Sequence, residues 1–264
     1  MNMRFKLAED AKPQVWLLLV ATVITIALWF IPLGEYLVYP IRLFVTFVHE
    51  GSHALVAFLT GGSVQSLTIA SDGSGVVYSA PSGWFGSVLT SSAGYLGSTA
   101  FGVLLLLLIR KTVPANYVLY GCAAFVAVMT TVFGILSPMF NFLSLQVAFS
   151  SVAFTIIAGI VLTAGLFALA RFAKPRLANF AVAFLAVQCL LNSLSDLKTL
   201  FFINTPLIGS DIQTDASNMA AATGLPGIIW VFIWIGLSLV MISLGLRIYA
   251  VSKGASKSET LFED

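Results

Sequence analysis

Charged residues are scarce in this chain, and histidine and cysteine are scarcer still. Only 9% of the 264 residues are charged, whereas 59% are hydrophobic. Soluble domains carry about 25% charged residues, so this composition predicts an integral membrane protein. The net charge is only +2, with basic residues at the ends of apolar segments, which argues against nucleic-acid binding. The two cysteines, Cys122 and Cys189, lie in apolar runs, so no disulfide framework is expected.

Long apolar runs fill most of the chain. A transmembrane helix needs about 20 mostly apolar residues, and the candidate spans are 15–37, 39–60, 84–109, 117–136, 151–170, 177–200 and 227–249. The shorter apolar stretch 137–150 is expected to form a half-helix or an interfacial segment. The runs predict an all-α polytopic membrane protein with about six to seven transmembrane helices. We expect one domain over residues 1–253, followed by a disordered polar tail over residues 254–264.

Residues 63–81, SVQSLTIASDGSGVVYSAP, differ from the apolar runs on either side. β-Branched and aromatic residues flank Asp72 and Gly73, a pattern typical of two strands joined by a tight turn. An open strand edge is costly in lipid. We therefore expect a β-hairpin that lies at the membrane interface or within a cleft of the protein.

Both histidines of the chain lie inside one apolar segment, RLFVTFVHEGSHALVAFLTGG, residues 42–62. On an α-helix His49 and His53 share one face, about 6 Å apart along the axis, and Glu50 lies one step round. This is the H-E-x-x-H arrangement, in which two imidazoles bind one metal ion and the carboxylate acts as general base. The alternative is a pair of core histidines hydrogen-bonded to a carboxylate. The metal interpretation is favoured because an ionisable group in lipid costs roughly 2.5 kcal/mol or more unless it has a partner.

The third ligand of such a site must come from elsewhere in the chain. A catalytic zinc has three protein ligands and an open position for water, and the sequence has no third histidine. Of the other carboxylates, only Asp196 lies in a span-like run. Asp211 and Asp215 lie in the polar stretch 209–218, and a direct role for either is the less favoured interpretation. We therefore predict Asp196 as the third ligand and Asn192, one turn earlier, as a residue that hydrogen-bonds a ligand or the substrate backbone.

Four blocks of the sequence resemble the site-2-protease type of intramembrane zinc metallopeptidase, and more closely its M50B-like branch. They are FVHEGSHALVAFLTGG (47–62), AGYLGSTAFG (93–102), NSLSDL (192–197) and TDASNMAAATGLPGIIW (214–230). The resemblance implies a metal held by His49, His53 and Asp196, with Glu50 activating water. It also implies a three-helix catalytic core, here the spans 39–60, 84–109 and 177–200, within a wider catalytic region of about 39–109 and 177–230. In the family, a hairpin after the metal-binding helix presents an edge strand to an extended substrate.

Together these features predict an intramembrane zinc (Zn²⁺) metalloendopeptidase that hydrolyses peptide bonds of membrane-embedded substrates through a zinc-activated water. Its partners would be a membrane-protein or membrane-peptide substrate and the lipid bilayer, with no nucleic acid. We expect a multi-pass protein of the plasma (inner) membrane of a bacterium. Two alternatives remain open: a metal-binding transporter or regulator without peptidase activity, and a structural scaffold with a hydrogen-bonded His/Glu/Asp cluster.

Overall fold

The computed structural model describes residues 12–31, 34–142, 147–203 and 214–250. Within these ranges the helices are α1 (Lys12–Phe30), α2 (Gly34–Leu59), α3 (Gly83–Arg110), α4 (Ala115–Met129), α5 (Ser137–Phe140), α6 (Phe149–Phe172), α7 (Pro175–Ile203), α8 (Asp215–Thr223) and α9 (Gly227–Ala250). Strands β1 (Ser63–Ile69) and β2 (Gly75–Ala80) form an antiparallel hairpin. The predicted all-α polytopic fold, with a small hairpin after the HEGSH helix, is confirmed.

Five helical segments in the described ranges are long and apolar enough to cross a membrane: Gly83–Arg110, Ala115–Phe140, Phe149–Phe172, Pro175–Ile203 and Gly227–Ile248. Helix α1 adds a shorter apolar stretch, Trp16–Leu28, and α2 is not among the five. The predicted boundary between the first two spans is wrong, because α1 ends at Phe30 and α2 begins at Gly34. The sequence has Pro32 at this break, and proline lacks the N–H that a helix interior requires.

The fourth chain segment is longer than the apolar pattern predicted. Helix α4, a π-helical segment at Thr130–Leu136 and α5 follow one another without a break, so α5 extends this span and does not begin a separate half-helix. Pro138 closely follows the π-helical segment, where the regular α-helical bonding is already interrupted, so its missing N–H falls at an irregular point of the span. Residues 143–146, the predicted tail 254–264 and Asp211 lie outside the described residues.

The hairpin is attached to the helices on both sides. On one side, the Tyr39 hydroxyl of α2 donates to the Ser71 carbonyl at 2.6 Å, and the Thr46 hydroxyl donates to the Gly73 carbonyl at 2.9 Å. On the other side, the backbone N–H of Ile69 in β1 donates to the Thr155 hydroxyl of α6 at 2.7 Å. Burying an unpaired strand N–H in a membrane protein is costly, and this side-chain acceptor removes that cost at the end of β1.

Helix α3 lies at the centre of the helices and packs against α2, α7, α8 and α9. Its small residues allow neighbouring helices to approach closely. Gly94 and Gly97 face side chains of α2, and Gly102 faces Leu190 of α7. A buried hydroxyl of α3, that of Thr99, joins α7 and α9 by hydrogen bonds of 2.7 and 3.1 Å to serine hydroxyls. Helices α2, α3 and α7 thus pack together, as the resemblance implied.

Candidate metal centre

The two histidines point their Nε2 atoms at each other from adjacent turns of α2. The Nε2 atoms of His49 and His53 are 3.2 Å apart. The Nδ1 atom of His53 lies 2.6 Å from the Thr90 carbonyl of α3. A carbonyl only accepts, so this nitrogen carries the proton and the neutral ring keeps a lone pair on Nε2. The Thr90 carbonyl therefore selects the tautomer that a metal ligand needs.

The third group at this point is Asp215, the first residue of the short helix α8. Its Oδ2 atom lies 3.3 Å from Nε2 of His53 and 3.7 Å from Nε2 of His49. The ligand atoms of these three residues all lie within 4.8 Å of one another, a grouping able to hold a metal ion. Burial raises the pKa of the Asp215 carboxyl, and when the two imidazoles carry protons their charge outweighs burial and holds this pKa well below its usual range.

The start of α8 is fixed by its own sequence. The Thr214 hydroxyl accepts from the Ser217 backbone N–H at 3.2 Å, and the Ser217 hydroxyl accepts from the Thr214 N–H at 2.8 Å. This reciprocal capping box satisfies two amides that a helix start leaves free. Because the cap is at Thr214, Asp215 occupies the first helical position, from which its side chain reaches the histidines.

Aromatic residues surround the His49 side of the group. The Tyr95 ring of α3 meets the His49 ring edge-on at 4.8 Å and stacks on Trp234 of α9 at 5.4 Å. The Trp234 indole N–H donates to the Ser92 hydroxyl at 3.0 Å. This packing holds α3 and α9 in a fixed relation to the imidazoles.

The three groups fit a tetrahedral zinc ion. Ligand atoms about 2.0–2.1 Å from one tetrahedral zinc are roughly 3.3 Å from each other. The observed separations are 3.2 Å between the histidine nitrogens and 3.3 and 3.7 Å from these nitrogens to Asp215. Gly94 leaves the neighbouring space open, because a Cβ there would overlap Nε2 of both histidines. Two imidazoles and one carboxylate leave a fourth position for water, as catalytic zinc sites do.

Glu50 is buried beside this group but is not one of its three members. It lies under the first residue of β2: a Cβ added to Gly75 would be 2.5 Å from Cγ of Glu50 and 2.7 Å from Cγ2 of Thr46. The backbone of β2 at Gly75 thus packs directly against the side chain of Glu50, the predicted base. This closeness was not visible in the sequence, because nothing in the pattern of residues 63–81 gave the crossing point of β2 over α2.

The structure does not bring Asp196 into the ligand group. Asp196 and Asn192 of α7 line the same cavity as the histidines, whereas the group within 4.8 Å consists of His49, His53 and Asp215. The elimination favoured a carboxylate inside an apolar span over Asp215, which lies on a short helix outside the spans. The signal that identifies it is local: a capping threonine directly before an acidic residue predicts a helix start with its carboxylate in the first turn.

A cavity of about 1170 Å³ contains these residues. Its walls come from α2, α3, α7, α8 and the whole central part of β2, residues 75–79. Sites for small molecules are commonly about 300–1,000 Å³, so this cavity has room for a segment of polypeptide. One strand of the hairpin, β2, therefore faces the same space as the candidate metal ligands.

Comparison with known proteins identifies the family of the chain. The family model described as Peptidase M50B-like matches residues 18–154 and 135–245, which together cover most of the chain. No curated protein and no solved structure matches it. The match includes the HEGSH helix, the hairpin, α7 and the short helix with Asp215. The chain belongs to the Peptidase M50B-like family and is an integral membrane protein of a peptidase family.

Proposed function

We propose that the chain is an intramembrane zinc metalloendopeptidase whose metal is held by His49, His53 and Asp215. The observation that carries the proposal is the meeting of these ligand atoms within 4.8 Å of one another, in a cavity that also contains Glu50. Asp215 replaces Asp196 as the proposed third ligand because only Asp215 is grouped with the imidazoles. Asp196 stays in the cavity wall as a further carboxylate.

When bound, a zinc ion would polarise the scissile carbonyl and lower the pKa of a coordinated water to about 7. Glu50 is the only carboxylate next to His49 on α2 and is not needed as a ligand. It therefore takes a proton from the attacking water and passes it to the nitrogen of the leaving amine. Its burial under Gly75 keeps bulk water away from it and holds its side chain in place.

The substrate we propose is an extended segment of a membrane protein or membrane peptide. A helical peptide bond is already hydrogen-bonded and shielded, so a transmembrane substrate must unwind before it enters the cavity. Strand β1 is paired with β2 on one edge and bonded to Thr155 at its end. The free edge of β2 lines the cavity, and a substrate strand adds to such an edge through main-chain hydrogen bonds. Asn192, which lines the same cavity, supplies a polar contact to the substrate backbone.

The test is the Glu50→Gln variant, purified in detergent and compared with the unaltered chain. The probe is a set of synthetic single-span transmembrane peptides whose products are identified by mass spectrometry. We expect zinc content to be unchanged and cleavage to fall by about 10²–10⁴-fold, the usual contribution of a general base. The matched control is Ser52→Ala on the same helix, which removes only a hydroxyl bonded to the Val48 carbonyl.

Full peptidase activity in Glu50→Gln would contradict the mechanism. Bound zinc with no cleavage of any peptide, by either protein, would instead favour a metal-binding transporter or regulator. Absence of zinc from the purified chain, together with no effect of a chelator, would favour a structural cluster.

A further inference from the structure

The side-chain amide of Asn192 is hydrogen-bonded to Gln188, one turn earlier on α7. Its Nδ2 atom donates to the Gln188 backbone carbonyl at 2.9 Å and to the Gln188 side-chain Oε1 at 3.2 Å. Both acceptors are oxygen atoms of Gln188. Because an amide group carries two hydrogens on nitrogen, these bonds use both of them.

The orientation of Gln188 is in turn decided by α1. The Thr25 hydroxyl donates to the Ala21 carbonyl at 2.9 Å. A hydroxyl has one hydrogen, so toward Gln188 it can only accept, and it accepts from Nε2 of Gln188 at 3.0 Å. The nitrogen of Gln188 thus faces Thr25, and its oxygen faces Asn192. The exposed fractions of Thr25 and Gln188 are 1% and 5%, so water does not compete for these bonds.

In this series of hydrogen bonds each side chain donates toward α1: Asn192 donates to Gln188, Gln188 to Thr25, and Thr25 to the Ala21 carbonyl. With both hydrogens of Nδ2 committed, Oδ1 is the polar atom of Asn192 that remains for the cavity that this residue lines. Reversing either amide would set two acceptors or two donors against each other, at the cost of unmade buried hydrogen bonds.

We propose that Thr25 and Gln188 are positioning residues that hold Asn192 with its amide oxygen toward the cavity, where it accepts a hydrogen bond from a backbone N–H of the extended substrate. The inference rests on the proposed peptidase function and deepens it. It gives α1, which lies outside the three-helix core, a part in substrate binding. It also fixes the chemistry of the contact, because an oxygen selects a donor and a peptide chain carries one donor per residue.

The chain contains a matched control for Thr25. Thr22 lies on the same helix and donates to the carbonyl four residues earlier, that of Leu18, at 2.9 Å. It has no hydrogen bond to Gln188. Thr22→Val therefore removes the same chemical group from α1 without touching the bonds that lead to Asn192, and Thr25→Ser keeps the hydroxyl while losing only a methyl group.

The experiment measures binding of peptide hydroxamates to the full-length chain loaded with zinc in detergent. In a series of ester analogues, each backbone N–H in turn is replaced by an ester oxygen. In the unaltered chain we expect one ester position to bind more weakly than its amide through loss of the bond to Asn192, by about 2- to 12-fold, the range for one neutral hydrogen bond. In Thr25→Val this amide-to-ester ratio falls to about 1, whereas Thr22→Val and Thr25→Ser keep it.

An unchanged ratio in Thr25→Val would overturn the inference, whether or not overall affinity falls, because a purely structural role weakens amide and ester probes equally. The absence of any discriminating ester position that is lost in Asn192→Ala would overturn it as well. Failure of the proposed function is distinct from both outcomes: the hydroxamates would then show no zinc-dependent binding to the unaltered chain.

Discussion

The Nε2 atom of His53 lies 3.3 Å from Oδ2 of Asp215, although the two residues come from opposite ends of the sequence. Each is held by its own local contact, His53 by the Thr90 carbonyl and Asp215 by the capping box at Thr214. The proposed ligand group is therefore held in place by three helices, α2, α3 and α8. Ligands held in this way by outer contacts orient their lone pairs toward one point.

The imidazoles lie so close to the backbone of α3 that only a glycine fits at position 94. Gly94→Ala places a methyl group where Nε2 of both histidines lies, so the rings must turn away. Loss of an outer-shell partner lowers metal affinity by about 10–100-fold, and we expect zinc affinity to fall by at least this factor here. The helical content should be retained. Zinc titration and circular dichroism measure the two quantities.

Gly165→Ala on α6 is the control for Gly94, because among the described residues the added carbon meets no heavy atom within 4 Å beyond its chain neighbours and local helix backbone. Unchanged zinc affinity in Gly94→Ala would show that the imidazoles have room to move without losing the ion.

A substitution at Gly75 is expected to disturb the proposed base, Glu50, without disturbing the metal ligands. The methyl group of Gly75→Ala would be 2.5 Å from Cγ of Glu50, so either the base or the hairpin shifts. A displacement of about 1 Å at a reacting group costs on the order of 10²-fold in rate. We expect peptide cleavage to fall by that factor while zinc content stays the same.

The comparison for Gly75→Ala is Gly121→Ala on α4, where the added carbon meets no other heavy atom within 4 Å in the described part of the chain, apart from its chain neighbours and local helix backbone. Loss of zinc together with activity would contradict the separate roles of Glu50 and the ligands. Normal kinetics would show that β2 does not rest on the base.

Thr155 holds the hairpin from the side opposite to α2. In Thr155→Val the N–H of Ile69 loses its acceptor, and an unsatisfied buried donor costs about 1–3 kcal/mol. We expect the free energy of unfolding in detergent to fall by that amount and Thr155→Ser to restore it. The measurement is denaturant or thermal unfolding of the purified variants.

Thr163 provides the control on the same helix, since its hydroxyl is buried without a hydrogen-bond partner among the described residues. Thr163→Val is expected to leave stability unchanged or to raise it slightly. Equal losses in Thr155→Val and Thr163→Val would mean that the bond to Ile69 does not hold the hairpin.

Much of the fold follows from local sequence signals. The lengths of the apolar runs indicated most membrane spans, and Asp72-Gly73 between β-branched residues indicated the hairpin at the correct position. The pair His49 and His53 was recognisable because four-residue spacing on a helix fixes their relative position regardless of what packs around them.

The third proposed ligand did not follow from the same signals, because its position depends on tertiary packing. Depth within an apolar run favoured Asp196, but the fold returns the short helix α8 to the centre of the molecule against α3 and α9. The closeness of Gly75 to Glu50 and the path from Thr25 to Asn192 depend likewise on how elements cross. Neither relation has a fixed spacing along the chain.

The most direct measurement is the zinc content of the purified chain and of two single variants, Asp215→Asn and Asp196→Asn, each of which exchanges a carboxylate for an amide of the same shape. The geometry predicts one zinc ion per chain in the unaltered protein and in Asp196→Asn, and loss of the ion in Asp215→Asn. Retention of zinc by Asp215→Asn together with its loss from Asp196→Asn would contradict the ligand set of His49, His53 and Asp215.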